Sequence, residues 1–218
     1  MKKITVILLS MLLVLVVGQA AFANTKVGLA AGYCTFDYFD GVFVDLSGTY
    51  RFNNWFSLAG DAFAAFGKYT DDELLKGFTV DGHIFAKFDL YSYGYFSIGA
   101  QVGVKNNFYR GEDTIWSSSE GKDIKVTDSI NKLSAGVGVF IDLYVAPKAK
   151  ISFDLLVPVF YVVTIEGITE TMFGVAGVDF KFGVNYEITP KFDVGVELGI
   201  KAADLFVFSI GAKVGYSF

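Results

Sequence analysis

The chain has 218 residues, 53% of them hydrophobic and 17% aromatic, and a formal net charge of −5. That length fits one domain, and the acidic balance excludes a nucleic-acid partner, which would need a basic surface to displace counterions. A single cysteine, Cys34, excludes an internal disulfide; with the single histidine, His83, it leaves no zinc-binding set, so no metal and no cofactor are expected.

Residues 1–23 read as a cleavable export signal: Lys2 and Lys3, an apolar stretch from Ile4 to Val17, then Ala21-Phe22-Ala23 ahead of Asn24. Its removal takes away two positive charges. In residues 24–218 no run reaches the ~18 apolar residues of a spanning helix. The richest run, Leu155 to Ile165, is shorter and contains Pro158. High apolar content without such a span leaves a soluble all-β core or a barrel whose outer solvent is lipid.

Alternation with a period of two then predicts about ten strands, with eight as the alternative. They fall near 26–36, 42–52, 56–66, 78–90, 95–105, 132–145, 150–165, 172–188, 192–201 and 205–218. The first shows Val27, Leu29, Ala31 and Tyr33 on one side. The fourth shows Phe78, Val80, Gly82, Ile84, Ala86, Phe88 and Leu90 against Thr79, Asp81, His83, Phe85, Lys87 and Asp89. The seventh shows Ile151, Phe153, Leu155, Val157, Val159, Tyr161 and Val163. Nearly every strand thus carries one charge-free face long enough for a tilted strand to cross lipid. A soluble sandwich would place charge on its outer faces. The fold class is therefore all-β, an up-and-down antiparallel transmembrane β-barrel occupying residues 24–218.

Connections alternate between tight turns, such as Asn53-Asn54 and Thr189-Pro190, and longer loops, the longest about 106–131. Aromatics gather at strand ends. Phe52, Trp55, Phe56, Phe88, Tyr95, Phe96, Tyr186, Phe192, Tyr216 and Phe218 are expected at the inner membrane interface. Tyr38, Phe39, Phe66, Tyr69, Phe78, Phe108, Tyr109 and Phe206 are expected at the outer one.

The opposite faces converge on the lumen. Its polar set includes Arg51, Asp61, His83, Lys87, Asp154, Asp179, Lys181, Asp193, Glu197 and Lys213, with Lys181 expected diagonal to Glu197 and Lys213 near Asp193. Both signs suit mutual neutralisation in a low-dielectric tube, either plugging it or lining a selective water-filled pore. The loop-proximal lumen is expected to be apolar: Phe43, Leu156, Pro158, Phe160, Val162, Phe173, Val175, Leu205 and Val207. Such a cup either fills a small barrel or holds a hydrophobic ligand. Pro158, with no N–H to give a ladder, marks a bulge or a sideways opening. The simplest register puts Ser47, Asp61 and His83 in one row. With Asp between Ser and His, that order cannot make a hydrolytic triad, and no catalytic residue is assigned.

The closing residues Val214-Gly215-Tyr216-Ser217-Phe218, with Gly211 before them, resemble the carboxy-terminal assembly signature of bacterial outer-membrane β-barrels. With the export signal and the alternating strands, the chain resembles the small outer-membrane barrel superfamily of the OmpX, OmpA-barrel, opacity-protein and OmpW types. The resemblance implies location in the bacterial outer membrane. It also implies contact with outer-membrane and lipopolysaccharide-type lipids, and recognition of the last strand by the barrel-assembly machinery. The expected protein is a non-enzymatic, narrow or plugged porin-like barrel of the cell envelope, with a structural role or slow small-solute passage. The alternatives are a carrier of small hydrophobic molecules through the apolar upper lumen, and an adhesin using loop 106–131, where Trp116 is a candidate anchor.

Overall fold

The computed structural model describes residues 25–36, 39–69, 76–117, 122–165, 168–175, 177–202 and 206–218. The export signal predicted at 1–23 lies outside these residues. Eleven strands occur among them: β1 (Thr25–Phe36), β2 (Phe39–Arg51), β3 (Phe56–Tyr69), β4 (Lys76–Tyr93), β5 (Phe96–Ser117), β6 (Lys122–Ala146), β7 (Ala149–Ile165), β8 (Ile168–Phe173), β9 (Val178–Thr189), β10 (Phe192–Ala202) and β11 (Phe206–Ser217). No helix among the described residues is long and apolar enough to cross a membrane.

Ten strands close a ring of antiparallel neighbours, β1 to β7 in order, then β9, β10 and β11, which pairs back onto β1. The short β8 pairs with β7 alone, as an extension of that hairpin. Stepping from Ile151 through successive register partners around the ring returns to β7 at Thr164. Such a stagger inclines the strands by about 40° to the barrel axis.

The two faces have inverted polarity relative to a soluble protein. Ile84 on the outer face is 63% exposed, while Asp81 on the inner face of the same strand is 1% exposed. Leu29, Val44, Val104, Val137 and Val196 are likewise exposed, and Asp45, Lys105 and Asp179 buried. This arrangement is stable only where the exterior solvent is hydrocarbon and the interior charges neutralise one another. Rings meet along both rims of the apolar band: Phe56 and Phe88 at 5.3 Å near the short turns, Phe66 and Phe78 at 6.2 Å and Phe78 and Phe108 at 5.7 Å near the opposite end. The short turns include the one closed by Gly94, whose φ of 57° is a conformation glycine adopts without steric penalty.

Three expectations need correction. The segment 106–131 is mostly not a loop: β5 and β6 stay paired from Asn106↔Leu133 out to Ser117↔Lys122, forming a ribbon. Its neighbours stop earlier, β4 at Gly77↔Gly111 and β7 at Ile130↔Ile165, so the ribbon projects about 20 Å beyond the wall. The placing of the Trp116 side chain lies outside the described residues. The eighth strand, expected unbroken over 172–188, is divided into β8 and β9. Finally, Phe39 and Tyr109 do not join the outer girdle. Phe39 is 3% exposed inside the lumen and packs against Tyr109 at 6.4 Å. The placing of Tyr38 and of the Tyr69 side chain lies outside the described residues.

Candidate functional site in the barrel lumen

Inward positions of β1, β2, β3, β5 and β11 fill the outer half of the lumen with an apolar plug. Phe36 stacks on Phe39 at 5.4 Å, Phe43 stacks on Phe63 at 5.3 Å, and Tyr109 meets Phe36 edge-on at 6.3 Å. Ala30, Cys34, Ala65 and Val207 complete the cluster, with Cys34, Phe36 and Ala65 fully buried. Offset and edge-on rings gain about 0.5–1.5 kcal/mol per pair beyond area burial. The parity of the sequence contained this plug: Phe39 shares its phase with Phe43 and Asp45, and Phe36 with Cys34.

Beneath the plug lie two tiers of ion pairs. In the outer tier, Lys201 donates to Asp81, which also accepts from Asn107. Lys105 donates to Asp179 at 2.9 Å and lies 4.0 Å from Asp81. In the inner tier, Lys181 crosses the lumen from β9 to Asp45 on β2 at 2.8 Å and to Asp61 on β3 at 3.0 Å. Lys181 also lies 4.0 Å from Glu197, in the expected diagonal relation. Lys213 does not turn to Asp193 as expected. Opposite Gly195 it is diagonal to both acids, and it bonds Glu197 at 2.6 Å while Lys26 takes Asp193 at 2.6 Å. The remaining pairs, Lys87 with Asp154, Lys150 with Asp142 at 3.2 Å and Arg51 with Asp89 at 2.8 Å, stand closer to the short-turn end.

The register does align Ser47, Asp61 and His83. His83 Nδ1 lies 3.1 Å from Asp61 Oδ1 but out of line for a hydrogen bond, and among the described residues the two imidazole nitrogens have no aligned partner. Ser47 instead donates to the Gly28 carbonyl at 3.4 Å. No contact joins Ser47 to His83 among the described residues, and these contain no cluster of three potential metal ligands.

A vestibule of about 490 Å³ opens toward the short-turn end and reaches up past the inner tier to Asp179 and Lys201 of the outer one. Small inward residues on two walls, Gly28, Ser47, Thr49, Ser57 and Ala59 on one and Ser152, Gly183 and Asn185 on the other, leave the space unfilled. Its mouth carries Thr25 and Phe218, so it lies at the end with the chain termini and short turns, which is periplasmic in outer-membrane barrels. Every predicted polar lumen residue except Asp193 lines it.

The predicted apolar cup is only partly assembled. Phe43, Leu156, Pro158 and Val207 point inward and are buried. Phe160, Val162 and Phe173 do not. The β6–β7 register runs Gly136↔Pro158, then Ala135↔Phe160, so Val159 is an extra residue in β7. One inserted residue reverses every later side chain. Tyr161, opposite Ser134, therefore enters the lumen, where Lys132 Nζ lies 4.5 Å from its ring centroid. Phe160 turns outward to meet Phe173 at 4.9 Å. Phe173 is 84% and Val175 74% exposed. Leu205 lies outside the described residues.

No protein-family model matches the chain, and no curated protein matches it in sequence. Solved structures do match in fold. The outer membrane protease OmpT from Escherichia coli superposes with a TM-score of 0.63 at 10% identity, over 89% of this chain and 97% of that one. The translocator domain of the autotransporter NalP from Neisseria meningitidis gives 0.51 at 8% identity, over 100% and 97%. The fold is that of the small bacterial outer-membrane β-barrels. By architecture the chain is a closed, ten-stranded antiparallel β-barrel with an apolar outer face and a charged lumen.

Proposed function

We propose that this protein is a plugged, non-enzymatic barrel: closed to through-passage at its outer half, open as a polar vestibule on the periplasmic side. The carrying observation is the Phe36–Phe39–Phe43–Phe63–Tyr109 cluster, which occupies the lumen above two tiers of mutually neutralised charge. A water-filled selective pore would need a hydrated path past those rings. Its outer face meets outer-membrane and lipopolysaccharide-type lipid. Strand β11, with Gly211, Val214 and Tyr216, and the Phe218 that follows it are what the barrel-assembly machinery engages. Planar-bilayer recording tests the reading. Folded protein is expected to give no stable open-channel current, and a steady ohmic conductance in the unmodified protein overturns it.

The adhesin reading keeps one supporting observation, the β5–β6 ribbon standing clear of its neighbours. Loss of surface binding on shortening that ribbon, with the barrel intact, would favour it. A carrier working through an apolar upper cup loses support, because Phe160, Val162 and Phe173 line no cup.

A further inference from the structure

Two ion pairs near the short-turn end of the vestibule are open where the others are sealed. Lys87 with Asp154 and Lys150 with Asp142 leave all four side chains between 20% and 31% exposed, and all four line the vestibule. In the other lumen pairs among the described residues the acid is at most 10% exposed. The two open pairs are neighbours on the β6–β7 wall, where Phe140 stands opposite Asp154 and Asp142 opposite Ser152. Lys87 reaches that wall from β4, with its ammonium 5.0 Å from the centroid of the Phe140 ring.

Among the described residues, Lys87 and Lys150 each make one hydrogen bond, to one oxygen of the paired carboxylate. An ammonium has three N–H groups and a carboxylate two acceptor oxygens. Each pair therefore presents spare donors and a spare acceptor side by side. Facing them the side chains are small. Strand β2 stands five strands from β7 in the ring of ten, directly across the lumen. Strands β1 to β3 turn Phe36, Phe43 and Phe63 into the outer half of the lumen. Below the inner tier the same phases carry Gly28, Ser47, Thr49, Ser57 and Ala59. The volume left, about 490 Å³, falls among small-ligand pockets, which run from about 300 to 1,000 Å³.

We propose that this slot binds a neutral polyhydroxylated molecule of mono- or disaccharide size, admitted from the short-turn end. A ligand with net charge would have to displace one member of an ion pair and strand the other, the unfavourable case for a sheltered charge. A hydroxyl both donates and accepts. Neighbouring hydroxyls of a sugar ring can thus take the spare donor and the spare acceptor without parting the pair. The slot lies below the aromatic cluster, so binding there does not depend on the plug being closed.

The test uses folded full-length protein in phosphatidylcholine nanodiscs, where both ends of the barrel meet solvent. Glucose, maltose and chitobiose are the probes, read by saturation-transfer NMR. At least one is expected to bind saturably, with gluconate and glycylglycine weaker by about ten-fold or more. Asp142→Asn/Asp154→Asn keeps the shape and removes the charge, and should weaken binding by about ten-fold, as expected for charge-assisted hydrogen bonds. In a Cys34→Ala background, the bound sugar should slow methanethiosulfonate labelling of Thr49→Cys inside the vestibule. Labelling of Tyr93→Cys at the exposed β4–β5 turn should not change. No saturable binding of any of the three sugars, tighter binding of gluconate or glycylglycine, unaltered affinity in the folded double variant, or binding that leaves Thr49→Cys unprotected overturns the proposal. The comparison of ligands needs no variant, so a poorly folding one leaves the test decisive. Bilayer currents report on the plug separately: a conducting barrel that binds sugar in this slot overturns the plug alone.

Discussion

Lys201 places its ammonium 3.8 Å from the centroid of the Phe63 ring while donating to Asp81. That contact joins the charged tiers to the aromatic plug. A cation against a ring face, away from water, is worth about 2 kcal/mol. The plug is thereby tied to the wall on the far side of the lumen, from β3 through β10 to β4.

Phe63→Ala should therefore weaken more than one stacking pair. The expected loss is about 3–5 kcal/mol, the usual range for emptying a packed aromatic site. The Phe43→Ala/Phe63→Ala double variant should also admit water past Phe36. Denaturant titration in lipid vesicles measures the first effect and bilayer recording the second, where brief openings absent from the unmodified protein are expected.

Lys181→Met should cost about 3–5 kcal/mol, because Asp45 and Asp61 are left as buried carboxylates without their shared cation. Adding Asp45→Asn and Asp61→Asn should restore most of that loss. A triple variant no more stable than the single one would show that the deficit is packing and not charge.

The reversal after Val159 can be read without disturbing the fold. In a Cys34→Ala background, nitroxide labels at residues 162 and 163 are to be compared by power saturation. The label at Val162 should be relaxed strongly by lipid-soluble oxygen, and that at Val163 weakly. The opposite order would mean that β7 keeps a single phase.

Replacing residues 112–128 by a two-residue turn should leave barrel stability within about 0.5 kcal/mol, the range of changes that touch no packed feature. Neither β4 nor β7 pairs with the ribbon beyond Gly111 and Ile130. Heat-dependent gel migration should be retained. Loss of the folded band would place the ribbon in the barrel's own stability.

Where one face of a strand is apolar and the other mixed, the sequence was readable residue by residue. Over 26–36, 42–52, 56–66, 78–89, 95–105, 132–145, 178–188, 192–201 and 206–217 the predicted side chains stand on the predicted faces. Strand β7 was not readable in its outer half, because Leu155 to Val163 is apolar at almost every position and a slip of one residue leaves the pattern unchanged. Pro158 marked the place of the bulge but not its consequence for Phe160 and Val162. Phe39 and Tyr109 were legible by phase, yet their nearness to strand ends drew them to the girdle. The choice of Lys213 between Asp193 and Glu197 depended on Lys26, whose strand is adjacent only after the ring has closed.

Phe218 donates its N–H to the Thr25 carbonyl at 3.0 Å, and both residues stand at the rim of the vestibule. Any polypeptide joined at either point would hang across that entrance and compete with whatever enters from below. Purification handles and reporter fusions therefore belong at the tip of the β5–β6 ribbon, on the opposite side of the bilayer.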